Sequence, residues 1–118
     1  MSTFKPYRRQ SHGVSCLVED QQETLYTCPA NCRAEIEMLF VTNPNGNTTV
    51  SLVWYDSSAD ENFFILGGKN MTTGEYILLT GATLVLEAGD SLKVTPSGNT
   101  TPHIDAMCTS VETFMPVG

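Results

Sequence analysis

The chain has 118 residues, of which 41% are hydrophobic and only 16% charged, and 13 carboxylates against six Lys and Arg give a net charge of −7. That length supports one core, removing roughly two-thirds of the unfolded surface from water, and leaves no room for a second. A composition rich in Thr, Asn, Ser and Gly argues for strands and turns, and against a helical or wholly disordered chain.

The charge is unevenly placed. Residues 1–11 hold Lys5, Arg8 and Arg9 and no carboxylate, whereas Arg33, Lys69 and Lys93 face all 13 carboxylates in the remainder, a net −10. An acidic body repels phosphate, so nucleic acid is not an expected partner. The polar segment after Met1 lacks the apolar stretch of a signal peptide, and no run approaches the roughly 18 apolar residues of a membrane span. The expectation is synthesis in the cytoplasm and no membrane partner. Asn47, Asn70 and Asn99 begin Asn-X-Ser/Thr triplets, which read as turn chemistry without a secretory signal. Residues 1–22 are expected to form an N-terminal arm, basic at its start, and 23–118 a single domain.

In chain order, Thr24–Thr27 is a short β-prone run stopped by the turn Cys28-Pro29-Ala30-Asn31. Arg33 to Thr42 is a long strand, with Ala34, Ile36 and Met38 on one face and Glu35 and Glu37 on the other. Asn43-Pro44-Asn45-Gly46-Asn47 carries the strongest hairpin signal. The returning strand, Thr48 to Asp56, puts Val50, Leu52 and Trp54 inward, Trp54 anchoring the core. The acidic loop Asp56 to Glu61 lacks the Gly and distal Glu of a calcium loop. Asn62 to Leu66 is a strand ended by Gly67-Gly68-Lys69-Asn70, which is no phosphate loop because the fixed spacing and following helix are missing. Strands over 76–79, 83–86 and 91–95 follow, separated by Gly81 and by Glu87-Ala88-Gly89-Asp90. His103 to Phe114 is the last. About seven or eight short strands at this turn spacing predict an all-β antiparallel β-sandwich or jelly-roll-like fold.

No constellation of residues carries chemistry. Cys16, Cys28, Cys32 and Cys108 allow three disulfide pairings, and the sequence does not choose among them. Cys28 and Cys32 have zinc-like spacing but no second tight pair. His103, beside Asp105, is a strand-edge histidine rather than a base for Cys108. Glu35 and Glu37 share a strand face, which suits a solvated or partner-facing surface. If that face meets a partner, Lys5, Arg8 and Arg9 offer the counter-charge. No catalytic residue, cofactor or metal ligand is expected.

Thr24-Leu-Tyr-Thr-Cys-Pro-Ala-Asn31, Val50-Ser-Leu-Val-Trp-Tyr-Asp56 and Leu84-Val-Leu-Glu-Ala-Gly-Asp-Ser-Leu-Lys93 resemble segments of small virion proteins of tailed bacteriophages. The similar segments span about residues 24–95. The resemblance implies a non-enzymatic structural protein of the virion, foremost a capsid decoration or cement protein. It would bind the major capsid protein and itself, with a homotrimer favoured by three-fold capsid positions. A tail, neck or fibre-associated component is the alternative. A carbohydrate- or receptor-binding module using Tyr55, Phe63 and Phe64 is a third reading. The resemblance assigns no role to the cysteines.

Overall fold

The computed structural model describes residues 7–115. Eight strands follow one another: β1 (Tyr7–Cys16), β2 (Glu23–Thr27), β3 (Cys32–Asn45), β4 (Thr48–Asp56), β5 (Glu61–Met71), β6 (Tyr76–Glu87), β7 (Ser91–Ser97) and β8 (His103–Phe114). They form two four-stranded sheets, ordered β1-β8-β3-β6 and β2-β7-β4-β5. Every pairing is antiparallel, so the fold is the all-β sandwich that the sequence predicts.

The period-two alternation explains the layers. On β8, Ile104, Ala106, Cys108, Ser110 and Glu112 point inward, and His103, Asp105, Met107, Thr109 and Val111 point outward. Leu92, Val94 and Pro96 of β7 are likewise buried. The core is built by Ile36, Leu39, Val41, Leu86 and Ile104 from one sheet and by Leu25, Val50, Leu52, Leu92 and Val94 from the other.

Five expectations are corrected. The arm expected over 1–22 is, from Tyr7 onward, an edge strand, because β1 pairs residue by residue with β8 from Tyr7↔Thr113 to Cys16↔Ile104. Its weak apolar pattern hid it. Met38 does not join Ala34 and Ile36 in the core, because β3 carries a bulge between Ile36 and Met38 in its pairings with both neighbours. One extra residue flips the alternation, so Leu39 and Val41 are buried instead. Gly67 and Gly68 do not end β5 but form irregularities within it, and β6 runs through Gly81 as one strand. Trp54 faces inward but is only partly buried, stacked on Phe63 at 5.2 Å between ring centroids. Leu52, fully buried beside it, is the deeper anchor.

The Asn-Gly hairpin joins β3 to β4 with Gly46 at φ +75°. Buried Asn43 secures it by donating to the carbonyls of Gly46 (2.7 Å) and Met71 (2.8 Å). At the opposite end, the buried Asp90 carboxylate accepts from the Ser57 N–H (2.9 Å), the Ser57 hydroxyl (3.0 Å) and the Glu87 N–H (3.0 Å). One side chain thus ties the β4–β5 turn to the β6–β7 turn.

Candidate functional site

Lys5 lies outside the described residues. Arg8 and Arg9 sit on β1, where alternation sends them to opposite faces. Arg9 points outward and meets Glu37 at 2.8 Å (Nε to Oε1) and 3.3 Å (Nη2 to Oε2). Arg8 reaches into the mouth between the sheets and holds Glu112 through Nη2 (2.5 Å) and Nε (2.9 Å), both on Oε1. The two β1 arginines therefore find their carboxylates within the chain. Glu35 stays exposed on the outer face, opposite Val85 and Val111.

Glu112 and Tyr26 were not singled out by the sequence reading. Glu112 is buried, and its second oxygen accepts the Tyr26 hydroxyl at 2.5 Å. His12 packs against Tyr26, tilted, with ring centroids 4.4 Å apart, and shares a hydrogen bond with Ser110 at 3.0 Å. Burial pushes the Glu112 carboxyl up, but the Tyr26 hydroxyl and the Arg8 guanidinium outweigh it and hold the group below its ordinary range. Burial, followed by the bond to Glu112, raises the Tyr26 phenol. Burial also lowers His12, with Arg8 adding to the effect. A signal was available: Glu112 falls at the same inward parity as Ile104, Ala106 and Cys108, and a carboxylate there must be paired.

All four cysteines are buried as free thiols. Burial pushes Cys16 and Cys28 up to about 11 and Cys108 up to about 12, opposite to the shift of a nucleophilic or metal-binding thiol. Ellman's reagent is accordingly expected to titrate none of the thiols quickly in the native chain and all four after denaturation. Rapid native reaction would contradict the burial. His103 is 3.2 Å from Asp105 on the outer face, whereas Cys108 points into the core, so the strand itself keeps the base from the thiol. In the acidic loop, Asp56 accepts from the Ser58 N–H (3.1 Å) and hydroxyl (2.8 Å), and Asp60 accepts from the Tyr55 hydroxyl (2.6 Å). Among the described residues, no three His, Cys, Asp or Glu side chains converge as a metal would need.

The outside of the molecule is more informative. Phe64 (69% exposed), Tyr76 (65%), Leu78 (48%) and Phe63 (43%) leave large apolar groups in water. On the outer face of the β1-β8-β3-β6 sheet, the pairings Leu78↔Phe40, Phe40↔Met107 and Met107↔Gly13 set four uncharged residues in one row across all four strands. Tyr76 packs on Phe40 at 5.6 Å beside that row.

No family model matches the sequence. No curated protein matches it either. Solved structures do resemble it in shape. A chain from the disulfide-linked pili formed by Bacillus endospore appendages superposes with a TM-score of 0.57 at 10% identity, covering 98% of both chains. A chain of infectious bursal disease virus, Gx strain, gives 0.52 at 11% identity, covering 97% of this chain and 34% of that one. A chain of T=1 particles derived from infectious bursal virus gives 0.51 at 13% identity, covering 95% of this chain and 37% of that one. The protein thus spans about a third of the viral chains and the whole of the appendage chain. What these likenesses show is a fold, a β-sandwich shared with chains found in a pilus and in virus particles.

Proposed function

We propose that the chain is a non-enzymatic structural protein of a tailed-bacteriophage particle, a capsid decoration or cement protein that binds and stabilises the lattice of the major capsid protein. The observation that carries this reading is the apolar surface left open on β5, β6 and the outer face of the β1-β8-β3-β6 sheet. Large apolar side chains left in water on both outer sheets are what partner-facing surfaces supply. Two further features support it. The thiols, the buried carboxylates and the β1 arginines are occupied within the fold, leaving little for catalysis. The fold is also one found in chains of assembled particles. Many copies, each making modest contacts, would stabilise a lattice through multivalency. In this reading the protein is made in the host cytoplasm and resides in the virion, touching the capsid protein and other copies of itself. Among the described residues, no helix is long and apolar enough to cross a membrane.

The full-length likeness to the appendage chain favours one second reading, a tail, neck or fibre-associated component. A sugar-binding role for Tyr55, Phe63 and Phe64 is less favoured. Lys93 lies 4.6 Å over the Tyr55 ring and Trp54 stacks on Phe63, so these two rings are already engaged within the fold. The deciding experiment adds purified protein to emptied capsids and counts bound copies by quantitative gel densitometry. Hundreds of copies per particle are expected. A dozen or fewer supports the tail or neck reading, and no binding refutes the capsid reading.

A further inference from the structure

We propose that the first half of β1, Tyr7 to His12, is an acid-released latch. It swings about Gly13 off the edge of β8, while Val14 to Cys16 stays in place and the rest of the sandwich stays folded.

The two halves of β1 are held by different forces. Alternation turns Arg8, Gln10, His12, Val14 and Cys16 inward. Cys16 is fully buried and Val14 packs on the core, so the second half is anchored by burial. The chain beyond it is pinned as well, since the Asp20 N–H donates to the Pro96 carbonyl (2.8 Å) and the Asp20 carboxylate accepts from the Ser97 hydroxyl (2.7 Å). In the first half, all three inward residues are polar. Arg8 is held by Glu112 and lies 5.5 Å over the Phe114 ring, and His12 is held by Ser110 and Tyr26. The Arg9 pair with Glu37 is exposed and adds little. As an edge strand, β1 has no neighbour on its other side. Its first half thus depends on the β8 ladder and on contacts that water can replace.

Gly13 stands at the join. It is not among the glycines with positive φ, and a Cβ added there would meet nothing closer than 3.7 Å, at the Ala106 carbonyl oxygen and Met107 Cγ. Neither the backbone conformation nor the packing therefore requires glycine. What glycine supplies inside a strand is conformational freedom, which suits a hinge between an anchored half and an unanchored one.

His12 makes the latch sensitive to acid. Facing it are Cys108, Ser110 and Glu112 of β8, Tyr26 of β2 and Arg8 of its own strand. Burial and the Arg8 charge disfavour the imidazolium more than Glu112 favours it, so the closed latch prefers neutral histidine. Swung out into water, His12 is an ordinary histidine. Its support for closure is therefore fully present above about pH 6.5 and is lost as pH falls below that value, where the open form takes up a proton more readily than the closed one. Opening also admits water to Glu112 and Tyr26, so the carboxylate that Arg8 leaves is hydrated rather than buried alone. The open latch bares the β8 backbone from Cys108 to Thr113, changing a covered sheet edge into one that an added strand can pair with. None of this depends on the capsid reading, because it is measured on the purified chain alone.

Amide hydrogen exchange, read residue by residue by NMR and corrected for intrinsic rates, tests it. At pH 7.5 the amides bonded across the Tyr7 to His12 pairings should be about tenfold or more less protected than those of Val14 to Cys16 and of β3. From pH 7.5 to 5.5 they should lose up to about a further tenfold, the limit for one proton taken up one unit below the ordinary histidine value. His12→Gln should remove that response to pH. Gly13→Ala, which the fold has room for, should raise protection of the first half about two- to fivefold by stiffening the hinge. If His12→Gln does not fold, the comparison of the two halves in the wild type, and its change with pH, decides. Equal protection from Tyr7 to Cys16, an acid loss matched in β3, or a response to pH that survives in His12→Gln would each overturn the proposal.

Discussion

Glu112→Ala is expected to lower the unfolding free energy by about 3 kcal/mol in urea titrations, a large fraction of the stability of a domain this size. Arg8 is partly exposed and can turn to water when its partner is lost. Tyr26 cannot, because its ring is buried against His12 and its hydroxyl would be left without an acceptor. Glu112→Gln keeps the shape and one acceptor oxygen, so it should cost only about 1–2 kcal/mol. Acid should mimic the loss. The carboxyl is held below its ordinary range in the fold, so its contribution is complete above the unfolded value and disappears as pH falls through the lower folded value. His12 is also lowered, so folding favours its neutral form and loses support once the unfolded histidine starts to protonate, below about pH 6.5. Stability should therefore begin to fall below about pH 6.5 and drop again below about pH 4; Glu112→Gln should flatten the second decline and, by removing the charge that supports protonated His12, deepen the first. An unchanged acid limb in that variant would show that other carboxylates dominate.

Leu39→Ala should cost about 3 kcal/mol and Met38→Ala less than about 1 kcal/mol, although the two residues are adjacent and similar in size. The difference comes from the bulge. Leu39 is buried in the core opposite Cys108 and Leu79, whereas Met38 lies on the outer face opposite Thr80 and Thr109. Uninterrupted alternation from Ala34 gives the reverse ranking. Thermal melts of the two variants therefore test the register of the central strand. Equal losses would argue that β3 runs without the extra residue.

Much of the architecture was legible because it rests on local rules. Asn45-Gly46 marks a hairpin by its tolerance of positive φ, and the alternation over 103–112 sorts β8 into two faces without reference to its neighbours. What escaped depends on pairing. β1 has too few apolar residues to announce itself, and becomes a strand only because β8 offers it a free edge. The β3 bulge is decided by two neighbouring strands at once, so Met38-Leu39-Phe40-Val41 looked apolar on both sides with no indication of which side wins. The arginines were read as reaching for a partner. The carboxylates that hold them stand on β3 and β8, distant in sequence, and only the sheet order brings them near.

The placement of β1 beside β8 also sets an order of events during folding. Arg8 and Glu112, which hold each other, are 104 residues apart in the chain. Closing so long a loop before any contact rewards it makes this a slow-folding topology, on a scale of milliseconds to seconds. Until β8 is available, β1 has no neighbour in its sheet, and the 14-residue β3 keeps one side unpaired between its two future partners. That bare strand edge, apolar on its inner face, is where nascent copies are most open to pairing wrongly with one another. The chain thus passes its most vulnerable moment before β8 arrives, and overproduction should punish slow β8 docking first.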